Sequence, residues 1–282
     1  MRFHFWNSFL CIGEKIRETK VVFYLKIRRS SSGMNLVIIT EADSIGKGCY
    51  RLADKRAKHI RTVLRCQVGD KIEVGVLNGP QGIAQIEKID DNEIVIECLT
   101  LKLKPIVPPV VDLICALPRP QTLKKVLTIS ATMGVHRLDF VRSNRVEKSF
   151  FHSPVLQKEN YTPFLIEGLS QGKHTRLPEV YIHDRFKPFF QDTLPKLNRG
   201  EMDLSCRLLP DPDVSVNLKD IHNSTNNRLL IAIGPEGGWV PFEIELMESL
   251  GFRRFSLGRW VLRVETAVAG VLSQIELVRM MK

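Results

Sequence analysis

The chain has 282 residues, 44% of them hydrophobic, and a formal net charge of +10 at pH 7. That length suits one large domain or two ordinary ones, with enough apolar residues for a buried core. No apolar run approaches the roughly 20 residues a membrane span needs, so no membrane partner is expected. The basic excess favours a polyanionic partner such as nucleic acid over an acidic small molecule, with a generic basic surface as the plain alternative.

The charge is uneven. Residues 1–33 hold seven Lys/Arg against Glu14 and Glu18, a net +5, and close on Arg28-Arg29-Ser30-Ser31-Ser32-Gly33. This leader reads in three ways: a start called too early, a targeting peptide, or a basic arm. Targeting peptides are poor in acids, so the two glutamates and the apolar stretch Val21 to Leu25 favour the first. The six cysteines, at 11, 49, 66, 98, 115 and 206, form no CxxC pair and no zinc spacing with the seven histidines. No metal is expected, and the thiols read as those of a reduced, cytoplasmic protein.

Residues 34–103 read as short strands. Lys71 to Leu77 alternates, Asn78-Gly79 offers the positive φ angles of a tight hairpin turn, and Ile83–Ile89 and Ile94–Leu99 follow around an Asp90-Asp91-Asn92 turn. Evenly spaced short strands predict a small barrel. Before them, Ala53 to Leu64 has helical spacing with basic residues on its polar side.

A Pro-rich joint, Lys104 to Pro109, marks the start of a second domain, residues 104–282, with a different rhythm. Strands are predicted at Val110–Leu117, Leu138–Val141, Arg228–Ile233 and Phe252–Leu257. Helices are predicted at Thr122–Met133, Phe242–Leu250 and Glu265–Met281. Such alternation implies an α/β domain with a parallel sheet covered on both faces. The polar stretch 195–227 reads as loop, turning at Asp211-Pro212-Asp213.

Two glycine-bearing loops follow two of these strands: Ile233-Gly234-Pro235-Glu236-Gly237-Gly238-Trp239, and Leu257-Gly258-Arg259-Trp260-Val261-Leu262-Arg263-Val264-Glu265-Thr266-Ala267. Ligands of open α/β sheets bind beyond the carboxyl ends of strands, where glycine lets backbone approach a ligand closely. Neither loop is a GxGxxG or GxxxxGK[ST] phosphate cradle, which disfavours a nucleotide-dependent Rossmann enzyme. Each loop alone would pass for an ordinary turn.

Together they resemble the RsmE-type RNA methyltransferases, whose members carry IGPEGG followed by LGxRxLRxETA. The resemblance extends over residues 34–282. His59-Ile-Arg-Thr-Val-Leu-Arg65 with Val68-Gly69-Asp70 is similar to the family's N-terminal PUA-like RNA-binding barrel. Arg142-Ser143-Asn144-Arg145 resembles its basic Ser-x-Arg turn, and Gln171, Arg176 and Pro178 resemble a Gln…Arg…Pro segment. Trp260 departs from the family's usual Arg, and Ser170 and His174 stand where many members have Glu and Arg.

The resemblance implies a SPOUT fold with a C-terminal trefoil knot, a homodimer, and S-adenosylmethionine-dependent methylation of uridine N3 in small-subunit ribosomal RNA. The cofactor-binding residues it implies are Ile233, Gly234, Pro235, Glu236, Gly237, Gly238, Leu257, Gly258, Trp260, Val261, Leu262 and Thr266. Uracil N3 must lose a proton, so Glu236 and Glu265 are candidate general bases, and Arg263 is a candidate stabiliser of the uridine anion. Against these roles, an acid at a helix start is favoured by the dipole alone, Glu236 could simply brace its loop, and Arg263 could contact phosphate or pair with an acid. His59, Arg61, Arg65, Arg142, Arg145, Lys173 and Arg176 are assigned to RNA. Trp239 and Trp260 could stack on a base or on adenine, or, for Trp239, pack against a partner subunit. The rival functions are a SPOUT enzyme acting on another RNA base and a non-catalytic RNA-binding or ribosome-assembly factor.

Overall fold

The computed structural model describes residues 35–103, 110–197, 206–221 and 228–281. The leader 1–33 with Cys11, and the Pro-rich joint 104–109, lie outside the described residues, and their readings stay sequence expectations.

The alternating segments pair as their pattern demands. β1 (Val37–Ile39), β2 (Ser44–Gly46), β3 (Cys49–Leu52), β4 (Lys71–Val76), β5 (Gln81–Ile89) and β6 (Ile94–Lys102) form one sheet in the order β1-β4-β5-β6-β3-β2. β1 is parallel to β4 and the other neighbours are antiparallel. Residues spaced two apart, such as Ile72 and Val74, Ala84 and Ile86, or Ile94 and Ile96, meet in a small core with Leu52, Ala57 and Ile60. Register shifts between β5 and β6 at Ile83/Ala84 and Ile86/Lys88 supply the extra twist that curls such a sheet. α1 (Lys55–His59) is capped by Asp54, which accepts the Arg56 N–H at 2.8 Å. It continues as a π turn, Ile60–Leu64, ended by Arg65 at φ 53°.

The Asn78-Gly79 turn departs from the two-residue hairpin. β4 and β5 are separated by residues 77–80, and only Asn78 of the pair has positive φ. The reason is tertiary. The Asn78 N–H donates to Thr175 O at 2.8 Å, Asn78 Oδ1 accepts the Leu177 N–H at 2.8 Å, and Thr175 Oγ1 donates to Gly79 O at 2.7 Å. The turn is bent to dock on residues 175–177, just before the strand Glu179–His183.

That second sheet contains β7 (Val110–Ala116), β8 (Arg137–Val141), β9 (Glu179–His183), β10 (Cys206–Pro210), β11 (Arg228–Ile233) and β12 (Phe252–Phe255). All pairs are parallel, in the order β12-β10-β11-β7-β8-β9. Its helices are α2 (Pro120–Thr132), α3 (Lys158–Gly172), α4 (Phe186–Pro188), α5 (Leu194–Leu197), α6 (Leu218–Ile221), α7 (Pro241–Ser249) and α8 (Val264–Met280). The loop reading of 195–227 is corrected at β10, which lies between β11 and β12 with Cys206, Leu208 and Leu209 fully buried. Five residues with an arginine and a terminal proline carry no period of their own; pairing on both edges makes them a strand. α3 and β9 were likewise outside the predicted elements.

β1 serves two cores. Val37 and Ile39 pack in the barrel, while Leu36 and Ile38 pack in the core of the parallel-sheet domain. The Leu36 N–H donates to Ser170 O at 3.0 Å, Ser170 Oγ donates back to Leu36 O at 2.6 Å, and Lys173 pairs with Glu73 at 2.7 Å. Residues 34–282 accordingly form one unit.

Candidate active site

The carboxyl ends of β10, β11 and β12 open into a cavity of about 340 Å³, within the usual range of small-molecule sites of about 300–1,000 Å³. Its wall is built from both glycine loops, with Ile233 to Trp239 on one side and Leu257, Gly258, Trp260, Val261 and Leu262 on the other. Pro210 ends β10 and Asp211 to Asp213 follow it, and Arg145 comes from the turn after β8.

Local chemistry shapes each loop. Gly238 has φ +74° and its N–H closes a turn on Pro235 O at 2.8 Å. Pro241 then starts α7 at a position where a missing N–H costs nothing. In the second loop Gly258 has φ +131°, bracketed by Ser256 Oγ, which lies 3.1 Å from both its N and its O. A Cβ at Gly258 would meet no atom within 4 Å, whereas one at Gly234 would lie 3.1 Å from Trp239 Nε1. The two glycines therefore serve different ends: Gly258 leaves open space beside a strained backbone, and Gly234 makes room for an indole. Among the described residues, the backbone N–H groups of Trp260, Val261 and Leu262 make no hydrogen bond and remain available to a ligand.

Trp239 is 8% exposed and packs 5.7 Å from the Phe186 ring of its own chain. This corrects its placement against a partner, because its apolar surface is already covered. Its Nε1, like the buried Ser143 Oγ, has no hydrogen-bond partner among the described residues. Trp260 and Val261 are the opposite case, 69% and 84% exposed at the cavity mouth.

The candidate catalytic residues separate. Glu236 is exposed on the cavity wall. Glu265 is not at the wall: it starts α8 and pairs with Lys125 of α2 at 3.1 Å. Its own backbone N–H, with Lys125, outweighs burial and holds its carboxyl below the usual range, the wrong direction for a proton acceptor. Arg263 and Thr266 are exposed and also lie off the wall, because the chain turns into α8 at Val264 and carries them to its outer side.

The RNA candidates fall into three places. His59, Arg61 and Arg65 lie on the barrel's α1 and its π turn, with Arg61 Nη1 donating to Asp90 O at 2.6 Å. Arg142 and Arg145 follow β8 at the carboxyl edge of the sheet. Lys173 and Arg176 precede β9 and so sit at the opposite, amino edge, about 17 Å away along five-residue strands. There Lys173 pairs with Glu73 and Arg176 bonds His136. In this chain they tie domains and strands together, which sequence spacing could not reveal.

Sequence reasoning missed Arg145 as a wall residue, and it missed Glu243. Fully buried at α7, Glu243 accepts the Asn144 N–H at 2.8 Å and the Val240 N–H at 3.0 Å. The signal was a lone acid amid apolar neighbours in the first turn of α7. Among the described residues no cluster of His, Cys, Asp or Glu could hold a metal.

Comparison with known proteins places this geometry. Residues 107–276 match the family model described as an RNA methyltransferase domain, and residues 52–98 match the RNA methyltransferase PUA domain. A Ribosomal RNA small subunit methyltransferase E of Treponema pallidum is 28% identical over 246 residues, covering 86% of this chain and 90% of its own. One of Borreliella burgdorferi is 26% identical, covering 88% and 100%. The structure of the Neisseria gonorrhoeae protein of that name, bound to S-adenosyl methionine, superposes with TM-score 0.68 at 20% identity, covering 87% of this chain and 98% of that one. The fold is thus of the SPOUT class with a PUA-like module, and the chain belongs to the RNA methyltransferase domain family, in its RsmE type.

Proposed function

We propose that this chain methylates N3 of a uridine in small-subunit ribosomal RNA, using S-adenosylmethionine. The observation that carries the reading is that two loops far apart in sequence, 233–239 and 257–262, close one cavity at the carboxyl edge of the sheet. The relatives' activity on ribosomal RNA supports the substrate class. The residues present fit the cofactor: Gly258 offers space beside its Cα, and the unbonded N–H groups of Trp260 to Leu262 suit the acceptor nitrogens of an adenine. Ile233 to Gly238 and Leu257 to Leu262 would hold it, and when bound it supplies an electrophilic methyl group.

The chain's own residues then have three tasks. The loops hold the reactants in line, which is the larger part of catalysis in a group transfer of this kind. Glu236 accepts the N3 proton, being the wall carboxylate with no ion-pair partner among the described residues that lies on the glycine loop itself. The barrel's Arg61 and Arg65 and the turn's Arg142 hold RNA phosphates. We further propose that the chain after β12 threads the family's knot, that the protein is a cytoplasmic homodimer, and that the partner covers the exposed Trp260, Val261, Leu277 and Met280. Val268, Val271, Leu272 and Ile275 of the same helix α8 are buried within one chain, which leaves Leu277 and Met280 as its apolar residues open to a partner.

The reading is tested by titrating the purified chain with S-adenosylmethionine in a calorimeter and supplying small ribosomal subunits with labelled cofactor. One cofactor site and label on uridine N3 are expected. Label on another base would move the enzyme to a different target, and absence of cofactor binding would leave an RNA-binding factor.

A further inference from the structure

We infer that Arg145 is the residue that stabilises the reacting uracil as its N3 loses a proton. This rests on the proposed methylation of uridine N3. The cavity wall holds one cation among the described residues, Arg145; the acids on it are Glu236, Asp211 and Asp213. Asp211 is already engaged, accepting from Arg254 at 2.8 Å and from the Asp213 N–H at 2.8 Å. Arg263, to which sequence reasoning gave the anion, is off the wall.

The Arg145 guanidinium is placed for that task. Its Nη1 donates to Gly237 O in the first loop, and its Cδ lies 3.1 Å from the position a Gly237 Cβ would occupy. No carboxylate pairs with it among the described residues, so its charge is not already neutralised. The turn that carries it is fixed from behind by the fully buried Glu243 through the Asn144 N–H at 2.8 Å. A guanidinium so held presents its remaining N–H donors in a rigid plane.

The chemistry needs such a group. The N3–H proton leaves to Glu236, the uracil carries the charge over N3 and its two flanking carbonyl oxygens, and the N3 lone pair forms the new bond to the methyl carbon. The electron pair of the breaking C–S bond stays on sulfur, whose positive charge is thereby cancelled. The charge to be stabilised exists on the base only during this event, so a preorganised cation beside it lowers the barrier rather than tightening ground-state binding.

The test compares parent, Arg145→Gln and Arg145→Lys on isolated small subunits, with calorimetric titration by S-adenosylhomocysteine alongside. Arg145→Gln is expected to lower kcat by roughly 10²–10³-fold, leave KM and cofactor affinity unchanged, and move the rising limb of the rate–pH profile to higher pH. Arg145→Lys, which keeps the charge without the fork, should recover part of the rate and supplies the result if the Gln variant does not fold. A raised KM with the salt slope reduced by about one and kcat unmoved would make Arg145 a phosphate contact instead. Loss of cofactor affinity would make it a loop brace. A parent that methylates N3 while Arg145→Gln matches it overturns the role alone. A parent that never methylates N3 overturns the underlying reading.

Discussion

Glu243 and Asn144, 99 positions apart in the chain, meet through one hydrogen bond: Glu243 Oε1 accepts the Asn144 N–H at 2.8 Å, with the carboxylate wholly buried. Its other oxygen takes the Val240 N–H at 3.0 Å. One side chain thus locks the turn after β8 to the start of α7. Glu243→Ala leaves two half-buried donors, the Asn144 and Val240 N–H groups, without this acceptor. A loss of about 3 kcal/mol is expected, seen as a fall in Tm of roughly 6–12 °C, with Glu243→Gln in between. An unchanged Tm in Glu243→Ala would mean the turn does not depend on this contact.

The two loop glycines should fail differently. Gly258→Val strains a backbone at φ +131° and projects methyl groups into open cavity, so cofactor affinity should collapse while the fold survives. Gly234→Val drives a side chain against Trp239, 3.1 Å away at Cβ, so it should lose stability by about 1–3 kcal/mol as an overpacked core does. Calorimetry and thermal melts on both variants separate the two; equal behaviour would contradict the division.

At the amino edge of the sheet, buried Asp112 receives Arg228 at 2.6 and 3.0 Å, with His136 at 3.5 Å. Removing one partner of such a pair strands a buried charge. Asp112→Ala should cost about 3–5 kcal/mol, and replacing Asp112 and Arg228 together by leucine should recover most of it. Denaturant melts check this; equal destabilisation in the single and double variants would contradict it.

Asp139 gives the acid limb of stability. Burial pushes its carboxyl up, but hydrogen bonds from Arg137 at 2.6 and 2.8 Å and from His183 at 2.7 Å outweigh it and hold it below the ordinary 3.8. A carboxylate depressed in the folded state adds stability that is full above its unfolded value and is lost as pH falls through the folded one. Stability measured from pH 6 down to about pH 2 should therefore fall more steeply for the parent than for Asp139→Asn, starting near the ordinary carboxylate value. Parallel curves would show that Asp139 does not titrate with unfolding.

Much of this was legible in the sequence because it is written locally. Period-two runs such as Ile83 to Ile89 became strands, and the IGPEGG and LGRWVLR segments reached one cavity because both follow strands of one parallel sheet. What stayed hidden depends on distant partners. β10 is a strand only because β11 and β12 flank it, and Asn78 departs from the two-residue hairpin because residues 175–177 claim its hydrogen bonds. Lys125, which pairs with Glu265, lies 140 positions from it, and Glu73 and His136 lie 100 and 40 positions from the Lys173 and Arg176 they bond, so no local spacing shows these contacts.

Methylation of uridine N3 in small-subunit ribosomal RNA is read out by mass spectrometry of that RNA from cells with and without the gene. One N3-methyluridine is expected in the parent, absent from the deletion strain, and restored by the intact chain but not by the Gly258→Val variant. Identical modification in both strains, or a lost methyl on any other base, would contradict it.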